Sequence, residues 1–518
     1  MTTPAPVPVP AARPVKRRRL LKTALIAVPA VVVAGAGAAG IVWANSVTDT
    51  TGEVDFKNPL AVPPLAQSTV DGEGRRVFEL TLQSGQRQFK DGAATGTWGF
   101  NGDYLGPTIR ATRGETVLFN IHNTLGETTS VHWHGMHLPP TADGGPHQSV
   151  HAGNTWSPSW KIEQQAASLW YHPHPHGETF LHVYRGLAGM FLIDDEESAA
   201  LALPKDYGLD DFPLIVQDRT FDGDNQFDES QGLIANVGYL GDEILVNGTH
   251  SPYLDVTTTR VRLRILNGSG SRAFNFGFAD DRTFALIGTD GGLRDVPYGT
   301  DRIQLSPAER AEIVVEMTPG EKVVLRSYPA EGLGMDLFSS RFDGCDDSFD
   351  VLELRAAATL AESPAVPAEL VEIPELDADK SAETRDFQIS GFTLNGEAMD
   401  MERIDFAVRK DSVEIWELEN FDSQFHNFHV HDVQFQVLKV NGKKPPEHLR
   451  GWKDTVHVKP GGKTRIIMQF KDFADPDMPY MCHCHVLYHE DQGLMGQFVV
   501  LDKGQKVGKP PKDGHVGH

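Results

Sequence analysis

The sequence has few cysteines and a shortage of basic residues, and both shortages exclude classes of protein. Its 518 residues include only three cysteines, Cys345, Cys482 and Cys484. Three cysteines cannot form the framework of a disulfide-stapled protein. Lysine and arginine together number 47 against 71 aspartates and glutamates, which gives a net charge of −24. Phosphate backbones would repel so acidic a chain, and a nucleic acid is therefore excluded as its partner.

The residues that are plentiful indicate a large protein rich in turns. The chain is long enough for about three domains with separate hydrophobic cores. It contains 50 glycines and 33 prolines, and 40% of its residues are hydrophobic. The low content of lysine and arginine argues against a mainly helical protein. We therefore expect an all-β protein of several domains.

Residues 1–45 carry the features of an export signal. Arg17, Arg18 and Arg19 precede an apolar run at residues 23–44, which resembles a twin-arginine-type signal. The small residue Ala44 offers a cleavage site. The alternative is an uncleaved anchor, because about 22 apolar residues are enough to span a bilayer. Both alternatives predict an exported protein of the cell envelope, periplasmic or extracellular.

A strand pattern recurs at the spacing of a domain. Alternating apolar residues lead up to Asn123, Asn267 and Asn420, and these asparagines are 144 and 153 residues apart. Alternation with a period of two that ends in a turn residue is typical of a β-strand. Its recurrence predicts three copies of one β-unit. The segments 186–193 and 493–500 also match each other, which indicates equivalent closing strands in the first and third copies.

The histidines are concentrated in the first and third copies. Only His250 lies between Val183 and Phe425, so the middle copy is predicted to be a spacer or wall. Elsewhere four His-x-His pairs occur, and on a strand this spacing places both imidazoles on one face. The pairs are His132/His134, His172/His174, His429/His431 and His483/His485.

These residue types predict copper. Two histidines and one cysteine with a weak axial partner are typical of a blue-copper electron-transfer site, and His426, Cys484 and His489 supply that set. The other eight histidines are too many for one ion, so a second, polynuclear centre is predicted. A zinc enzyme would need only three or four ligands.

At these four motifs the chain resembles the three-domain bacterial multicopper oxidases, which include laccase-like enzymes, cuprous oxidases and bilirubin oxidases. The resemblance implies three cupredoxin-like Greek-key β-barrel domains. We place them at residues 46–195, 196–362 and 363–505, followed by a flexible tail at residues 506–518. The trinuclear copper cluster of such enzymes lies between the first and third domains.

The resemblance implies four copper ions. A type 1 copper would be bound by His426, Cys484 and His489, with Leu494 at the axial position. A type 2 copper would be bound by His132 and His429. A type 3 pair would be bound by His134, His172, His174, His431, His483 and His485. Four one-electron oxidations at the type 1 site would then reduce dioxygen to two waters at the cluster.

Three acidic residues match functional positions of the family. Asp143 and Glu490 occupy the positions of acids that supply protons for oxygen reduction. Asp422 matches an acid at the substrate site of the cuprous oxidases. Leu494 stands where many bacterial members have methionine, and a non-coordinating residue there should raise the type 1 potential.

Three further departures concern cysteine, proline and methionine. Cys482 is either a bystander thiol, which we favour, or a partner of Cys345. Asn427 replaces a proline that family members usually carry. The third domain also lacks the Met-rich insertion of the cuprous oxidases, since only Met399 and Met401 lie close together there.

Three functions remain open for such a protein. The absence of the Met-rich insertion favours a laccase-like oxidase of phenols, aromatic amines or dyes. The alternative is a metal oxidase acting on Cu(I), Mn(II) or Fe(II) in copper tolerance. The third possibility is a non-enzymatic envelope protein with the same fold.

Overall fold

The computed structural model describes Trp43 and residues 46–230 and 237–511. The predicted export signal, apart from Trp43, and residues 512–518 of the predicted tail lie outside the described residues. Within the described ranges, no helix has the length and apolar character needed to cross a membrane.

The described residues form six β-sheets, two in each third of the chain, and this confirms the predicted all-β architecture. In the first third, one sheet contains β2 (Ser68–Val70), β3 (Arg76–Arg87), β4 (Thr95–Phe100), β6 (Thr116–Asn123), β8 (Thr155–Trp156) and β9 (Ser159–Lys161). The other contains β5 (Ile109–Thr112), β11 (Gly189–Asp194), β10 (Ala167–His172) and β7 (His132–His134).

The middle third has a seven-stranded sheet and a six-stranded sheet. One sheet contains β14 (Thr249–His250), β13 (Glu243–Val246), β12 (Asp211–Arg219), β16 (Arg260–Asn267), β21 (Arg310–Glu316), β18 (Phe284–Thr289) and β19 (Gly292–Thr300). The other contains β1 (Asn58–Pro59), β15 (Pro252–Thr258), β23 (Phe349–Ala361), β22 (Lys322–Tyr328), β17 (Phe274–Phe278) and β20 (Ile303–Leu305).

The last third has two five-stranded sheets and carries the cysteine motif. One sheet contains β25 (Thr393–Leu394), β24 (Glu383–Ser390), β27 (Ser412–Asn420), β31 (Lys463–Phe470) and β29 (Phe435–Val440). The other contains β26 (Phe406–Arg409), β33 (Met495–Leu501), β32 (Tyr480–His483), β28 (His426–Val430) and β30 (Thr455–Val458).

Helices are short. The α-helices are α1 (Thr179–Tyr184), α2 (Glu196–Ala200), α3 (Leu337–Phe342) and α4 (Leu487–Asp491). Single 3-10 turns occur at Pro140–Ala142, Ala378–Lys380 and Glu447–Leu449. The Asp491 carboxylate accepts the backbone N–H groups of Thr179 and Phe180 at 2.8 and 3.0 Å, which ties α4 to the start of α1.

The repeated asparagines have one structural role. They end β6, β16 and β27, which run parallel to β3, β12 and β24. In each turn the asparagine oxygen accepts the N–H two residues on. The amide donates to two carbonyls: Asn123 to Glu127 and Val150, Asn267 to Arg272 and Leu305, and Asn420 to Gln424 and Val458. Asparagine recurs because one side chain supplies both donor and acceptor to the turn.

The start of the described chain joins the middle third. β1 pairs in parallel with β15, and the backbone N–H groups of Thr48 and Gly52 donate to Asp347 and Asp350. Residues 48–60 thus precede the first pair of sheets in sequence but pack on the second.

Each third encloses its own apolar cluster, and the first cluster anchors a histidine pair. Trp133 lies between His132 and His134, so its side chain points to the opposite face of β7. Its ring is buried, 4.2 Å from Phe119 and 5.2 Å from Trp160 between centroids. This packing fixes the strand from which both imidazoles project.

Candidate metal centre

Two antiparallel strand pairs present the histidines. In the first third, His132 pairs with His172 across β7 and β10. In the last third, His429 pairs with His483 across β28 and β32. Strand register therefore places histidines from distant parts of the sequence side by side on each half of the site.

The two halves meet in a single cluster of eight imidazoles. Each of these side chains is at most 1% exposed. Their ligand atoms form three groups in which all atoms lie within 4.8 Å of one another: His132/His134/His429, His134/His172/His485 and His174/His431/His483. The structure thus brings together all eight histidines that the sequence assigned to a polynuclear centre.

Six of the cluster histidines have lowered pKa values, and nitrogens of different rings lie close together. Burial and repulsion between neighbouring imidazoles lower the pKa of each of these six side chains. The pKa of His174 falls to about 3, and the pKa values of His134, His172, His429, His431 and His485 lie well below the ordinary value. Nε2 of His483 lies 3.2 Å from Nε2 of His174 and 3.3 Å from Nε2 of His431.

Buried nitrogens without a partner complete the argument for a cation. They include Nε2 of His132, Nε2 of His429 and Nδ1 of His134. A buried polar atom that makes no hydrogen bond is costly, and a metal ion would accept each of these lone pairs. The donor set of neutral imidazoles fits copper, and the residues present therefore fit the group that the sequence predicted.

Hydrogen bonds on the outer side orient the rings. Nδ1–H of His132, His172 and His429 donates to the carbonyls of Asp143, Pro173 and Asp454 at 2.8–2.9 Å. Nδ1 of His431 lies 2.8 Å from Asp143 Oδ2. Such contacts fix the tautomer that leaves Nε2 free for a metal.

Glu490 contacts two other histidines of the cluster. Its Oε2 is 3.2 Å from Nδ1 of His483 and its Oε1 is 3.4 Å from Nδ1 of His174. Burial opposes ionisation, but these two imidazoles outweigh it and lower the pKa of Glu490 to about 2. The structure thus places Asp143 and Glu490 directly behind cluster histidines.

The cysteine site lies wholly within the last third. Sγ of Cys484 is 3.5 Å from Nδ1 of His426 and 3.6 Å from Nδ1 of His489, and these two nitrogens are 3.1 Å apart. Burial raises the pKa of the Cys484 thiol to about 12, and a bound cation would displace its proton. Leu494 is buried in the same apolar cluster as Cys484.

The sequence around Cys484 connects the two sites. His483 on one side belongs to the group with His174 and His431. His485 on the other side belongs to the group with His134 and His172. Cys484 is therefore joined through the backbone to two of the three histidine ligand groups.

Asp422 contacts a residue of the cysteine site directly. Its Oδ2 lies 2.9 Å from Nε2 of His426 and accepts the Gly391 N–H at 2.7 Å. Burial opposes ionisation of the carboxyl, but the His426 contact outweighs it and lowers the pKa of Asp422. The side chain is 26% exposed, so this carboxylate lies between the solvent and His426.

Cys345 and Cys482 do not pair. All three cysteines are free thiols and buried. The alternative of a disulfide between Cys482 and Cys345 is therefore wrong for this structure, and the interpretation of Cys482 as a bystander thiol stays a prediction.

Two residues that lie behind His134 were not predicted from the sequence. Asp454 and Arg310 are fully buried and paired, with Arg310 Nη2 at 2.6 Å from Asp454 Oδ2. Asp454 Oδ1 lies 3.0 Å from Nε2 of His134. Arg310 and Asp454 are 144 residues apart, and no spacing pattern in the sequence indicates that they pair.

Comparison with known proteins agrees with the geometry. Residues 81–198, 197–325 and 370–504 each match the family described as multicopper oxidase. The chain is 34% identical over 459 residues to multicopper oxidase mco of Staphylococcus haemolyticus, covering 86% of this chain and 93% of that protein. It is 36% identical over 457 residues to cell division protein FtsP of Sodalis glossinidius, covering 87% and 93%.

A solved structure shows the same fold. The crystal structure of a laccase from Pediococcus acidilactici superposes with a TM-score of 0.78 at 35% identity, covering 88% of this chain and 95% of that one. Family, fold and donor set lead to one conclusion. The chain belongs to the multicopper oxidase family and is a copper oxidoreductase with cupredoxin-like β domains.

Proposed function

We propose that the protein binds four copper ions and couples oxidation of an aromatic donor to reduction of dioxygen. His426, Cys484 and His489 would hold the type 1 copper, and His132 and His429 the type 2 copper. The type 3 pair would be held by His134, His172 and His485 on one side and by His174, His431 and His483 on the other. The backbone connection from Cys484 to both His483 and His485 is the observation that carries this proposal.

Bound copper would supply the electron chemistry, accepting single electrons at the cysteine site and passing them to dioxygen at the cluster. The protein holds the two sites at a fixed separation, since His483, Cys484 and His485 are consecutive. It also excludes water from both, because the eleven ligand side chains are at most 2% exposed.

Asp143 and Glu490 would deliver the protons that oxygen reduction consumes. Asp143 Oδ2 contacts Nδ1 of His431 at 2.8 Å, and Glu490 Oε2 contacts Nδ1 of His483 at 3.2 Å. These carboxylates contact different cluster histidines. Each could pass a proton on beside a ligand without itself binding metal.

Aromatic side chains near the cysteine site favour an organic donor. The Phe392 ring centroid lies 5.7 Å from that of His489. Phe421, next to Asp422, is 56% exposed. Phenols and aromatic amines would stack on such rings, and Asp422 would hold a donor's hydroxyl or ammonium group beside His426.

A metal donor is the second candidate, and Asp422 favours it. A half-buried carboxylate of lowered pKa beside His426 could bind Cu(I), Mn(II) or Fe(II) near the electron-accepting site. Its Oδ2 is already engaged by His426 and Gly391, which leaves few ligands for a metal ion. This is why we place the aromatic donor first.

Oxygen uptake by the copper-loaded protein separates these functions. Faster uptake with a phenol than with Cu(I) is expected, and Asp422→Ala should weaken phenol oxidation without loss of copper. Dominance of Cu(I) would establish a metal oxidase. No uptake with either donor at full copper loading would contradict the proposal and favour a non-enzymatic role. The similarity to a cell division protein makes this outcome worth testing.

Residues 1–45 support a proposal about location. The arginines and the apolar run would direct a folded, copper-loaded protein out of the cytoplasm by a twin-arginine-type route. Replacing Arg17, Arg18 and Arg19 with lysine should retain the protein in the cytoplasm. The mass of the exported chain would show whether cleavage follows Ala44.

A further inference from the structure

The middle third reaches the histidine cluster although it supplies none of the proposed ligands. Arg310 begins β21 and is fully buried. Its Nε donates to the carbonyl of Ser168 at 2.9 Å in the first third, and its Nη2 donates to the carbonyl of Asp290 at 2.9 Å. Its Nη1 also donates to the carbonyl of Ala308 at 3.1 Å. One guanidinium thus contacts the first and middle thirds, and it also bonds to the last.

Arg310 holds Asp454 of the last third in a fixed orientation. Nη1 donates to Oδ1 at 2.7 Å and Nη2 donates to Oδ2 at 2.6 Å. Two parallel charge-assisted bonds fix both the position and the plane of a carboxylate. Asp454 is fully buried, so water cannot replace the guanidinium if it is lost.

Asp454 in turn sets the tautomer of His134. Its Oδ1 lies 3.0 Å from Nε2 of His134. A carboxylate can only accept, so the ring carries its proton on Nε2. Nδ1 is then a bare lone pair, buried and without a partner, that faces the cluster.

His134 is unusual among the histidines for which the structure gives an outer hydrogen bond. His132, His172, His429 and His431 are bonded through Nδ1 and present Nε2 to the cluster. His134 is bonded through Nε2 and presents Nδ1. It also belongs to two of the three ligand groups, so an error in its tautomer would disturb both.

We propose that Arg310 is a positioning residue for the cluster, acting through Asp454 to hold His134 with Nδ1 toward the metal. The middle domain therefore takes part in building the copper cluster. The inference rests on the copper assignment proposed above. Loss of a partner behind a metal ligand typically costs about 10–100-fold in metal affinity.

The test compares Arg310→Lys with Arg294→Lys. Arg294 is a matched control because it is also a buried arginine of the middle third. It donates to the last third, at the carbonyls of Glu447 and Arg450 at 2.7 and 2.9 Å, but contacts no residue of the cluster. Lysine keeps the charge at both positions, and at position 310 it loses the two-pronged contact with Asp454.

Copper affinity is read at both sites of one sample by competition with a chelator. The blue thiolate absorption reports the cysteine site, and the electron paramagnetic resonance of the type 2 copper reports the cluster. Arg310→Lys should weaken copper binding at the cluster by about 10–100-fold and change the type 2 spectrum, with the blue absorption unchanged. Arg294→Lys should leave both signals unchanged.

Other outcomes separate this inference from the proposed function. Unchanged cluster affinity and spectrum in Arg310→Lys would overturn the inference and leave the copper assignment intact. An equal loss of cluster copper affinity in Arg294→Lys would also overturn the inference. The effect would then come from a general weakening of the contacts between the middle and last thirds. Wild-type protein without cluster copper would overturn the assignment itself.

A second variant covers the case in which Arg310→Lys does not fold. Asp454→Asn keeps the shape of the side chain but offers Arg310 and His134 an amide that can accept through only one atom. It should reproduce the cluster defect with the blue absorption retained. An unaltered cluster in this variant would contradict the proposal.

Discussion

The cysteine site and the histidine cluster are built in different ways. His426, Cys484 and His489 all come from the last third, and two of them lie within five residues of each other. The cluster takes histidines from the first and last thirds and contacts the middle third through Arg310. The cysteine site should therefore tolerate changes between thirds that the cluster does not.

The largest expected effect comes from removing the connection between the two sites. Cys484→Ser should abolish the blue absorption and reduce donor-driven oxygen uptake to the level without enzyme, because electrons lose their acceptor. Copper should remain in the cluster, since His483 and His485 are untouched. Copper content, absorption and oxygen uptake measure this.

Cys482→Ser is the matched control for that change. Cys482 is buried two residues earlier, and its thiol belongs to neither metal site. The variant should keep its blue absorption, its copper content and its oxygen uptake. Loss of cluster copper in Cys484→Ser would show that the two sites are not separable.

Glu490→Gln should slow oxygen reduction without emptying either site. A positioned acid contributes about 10²–10⁴-fold to proton transfer, and the amide cannot release a proton. Oxygen uptake at saturating donor should fall in that range while copper content stays constant. Normal turnover in this variant would remove Glu490 from the proton path.

The contact of His137 with the last third predicts a pH dependence of stability. Burial alone would lower its pKa, but Asp432 and Asp472 outweigh this and raise it from 6.5 to about 10. Its Nε2 lies 3.0 Å from Asp472 Oδ2. A raised folded pKa gives stability that is fully present below about pH 6.5 and is lost as pH rises through about 10.

Comparison of the wild type with His137→Gln would measure this contribution. The variant should be less stable near pH 6, by something on the order of a few kcal/mol, and the difference should shrink toward pH 10. Chemical unfolding at the two pH values gives the comparison. A difference that does not vary with pH would mean that the ion pair contributes nothing.

Leu494→Met should affect only the cysteine site. A thioether at the axial position would donate to the oxidised metal and lower the type 1 potential. Redox titration of the blue absorption measures the shift, and the cluster spectrum should not change. An unchanged potential would show that position 494 does not lie on the axis of the site.

The smallest expected effect concerns a contact of the middle third near the cysteine site. Asn427 Nδ2 donates to the carbonyl of Pro307 at 2.7 Å, which leaves Oδ1 3.5 Å from Sγ of Cys484. The negative end of this amide should stabilise the oxidised metal. Asn427→Ala should therefore raise the type 1 potential slightly, and a fall would contradict this geometry.

Spacing in the sequence predicted which histidines lie together, because local geometry decides which way their side chains point. A His-x-His pair on a strand projects to one side wherever the strand lies, and His483-Cys484-His485 joins two sites by covalent bonds alone. The repeated asparagines likewise predicted three copies, since each completes its turn with nearby groups. Each of these features depends only on residues that are close together in the sequence.

The contacts between thirds could not be predicted in this way. Arg310 and Asp454 are 144 residues apart, and His137 meets Asp472 across 335 residues. Their types alone are typical of an exposed surface, yet Arg310 and Asp454 are buried and His137 is nearly so. The same applies to residues 48–60, whose pairing with the middle third has no signal in their composition.

The sequence by itself determined the β-architecture, the metal-binding residue types and the connection through Cys484. The tertiary structure decided which nitrogen of each imidazole faces the cluster and that the middle third helps to hold it. The physical reason is that a tautomer depends on the hydrogen bond behind the ring. At His134 that bond exists only when separate parts of the chain have packed together.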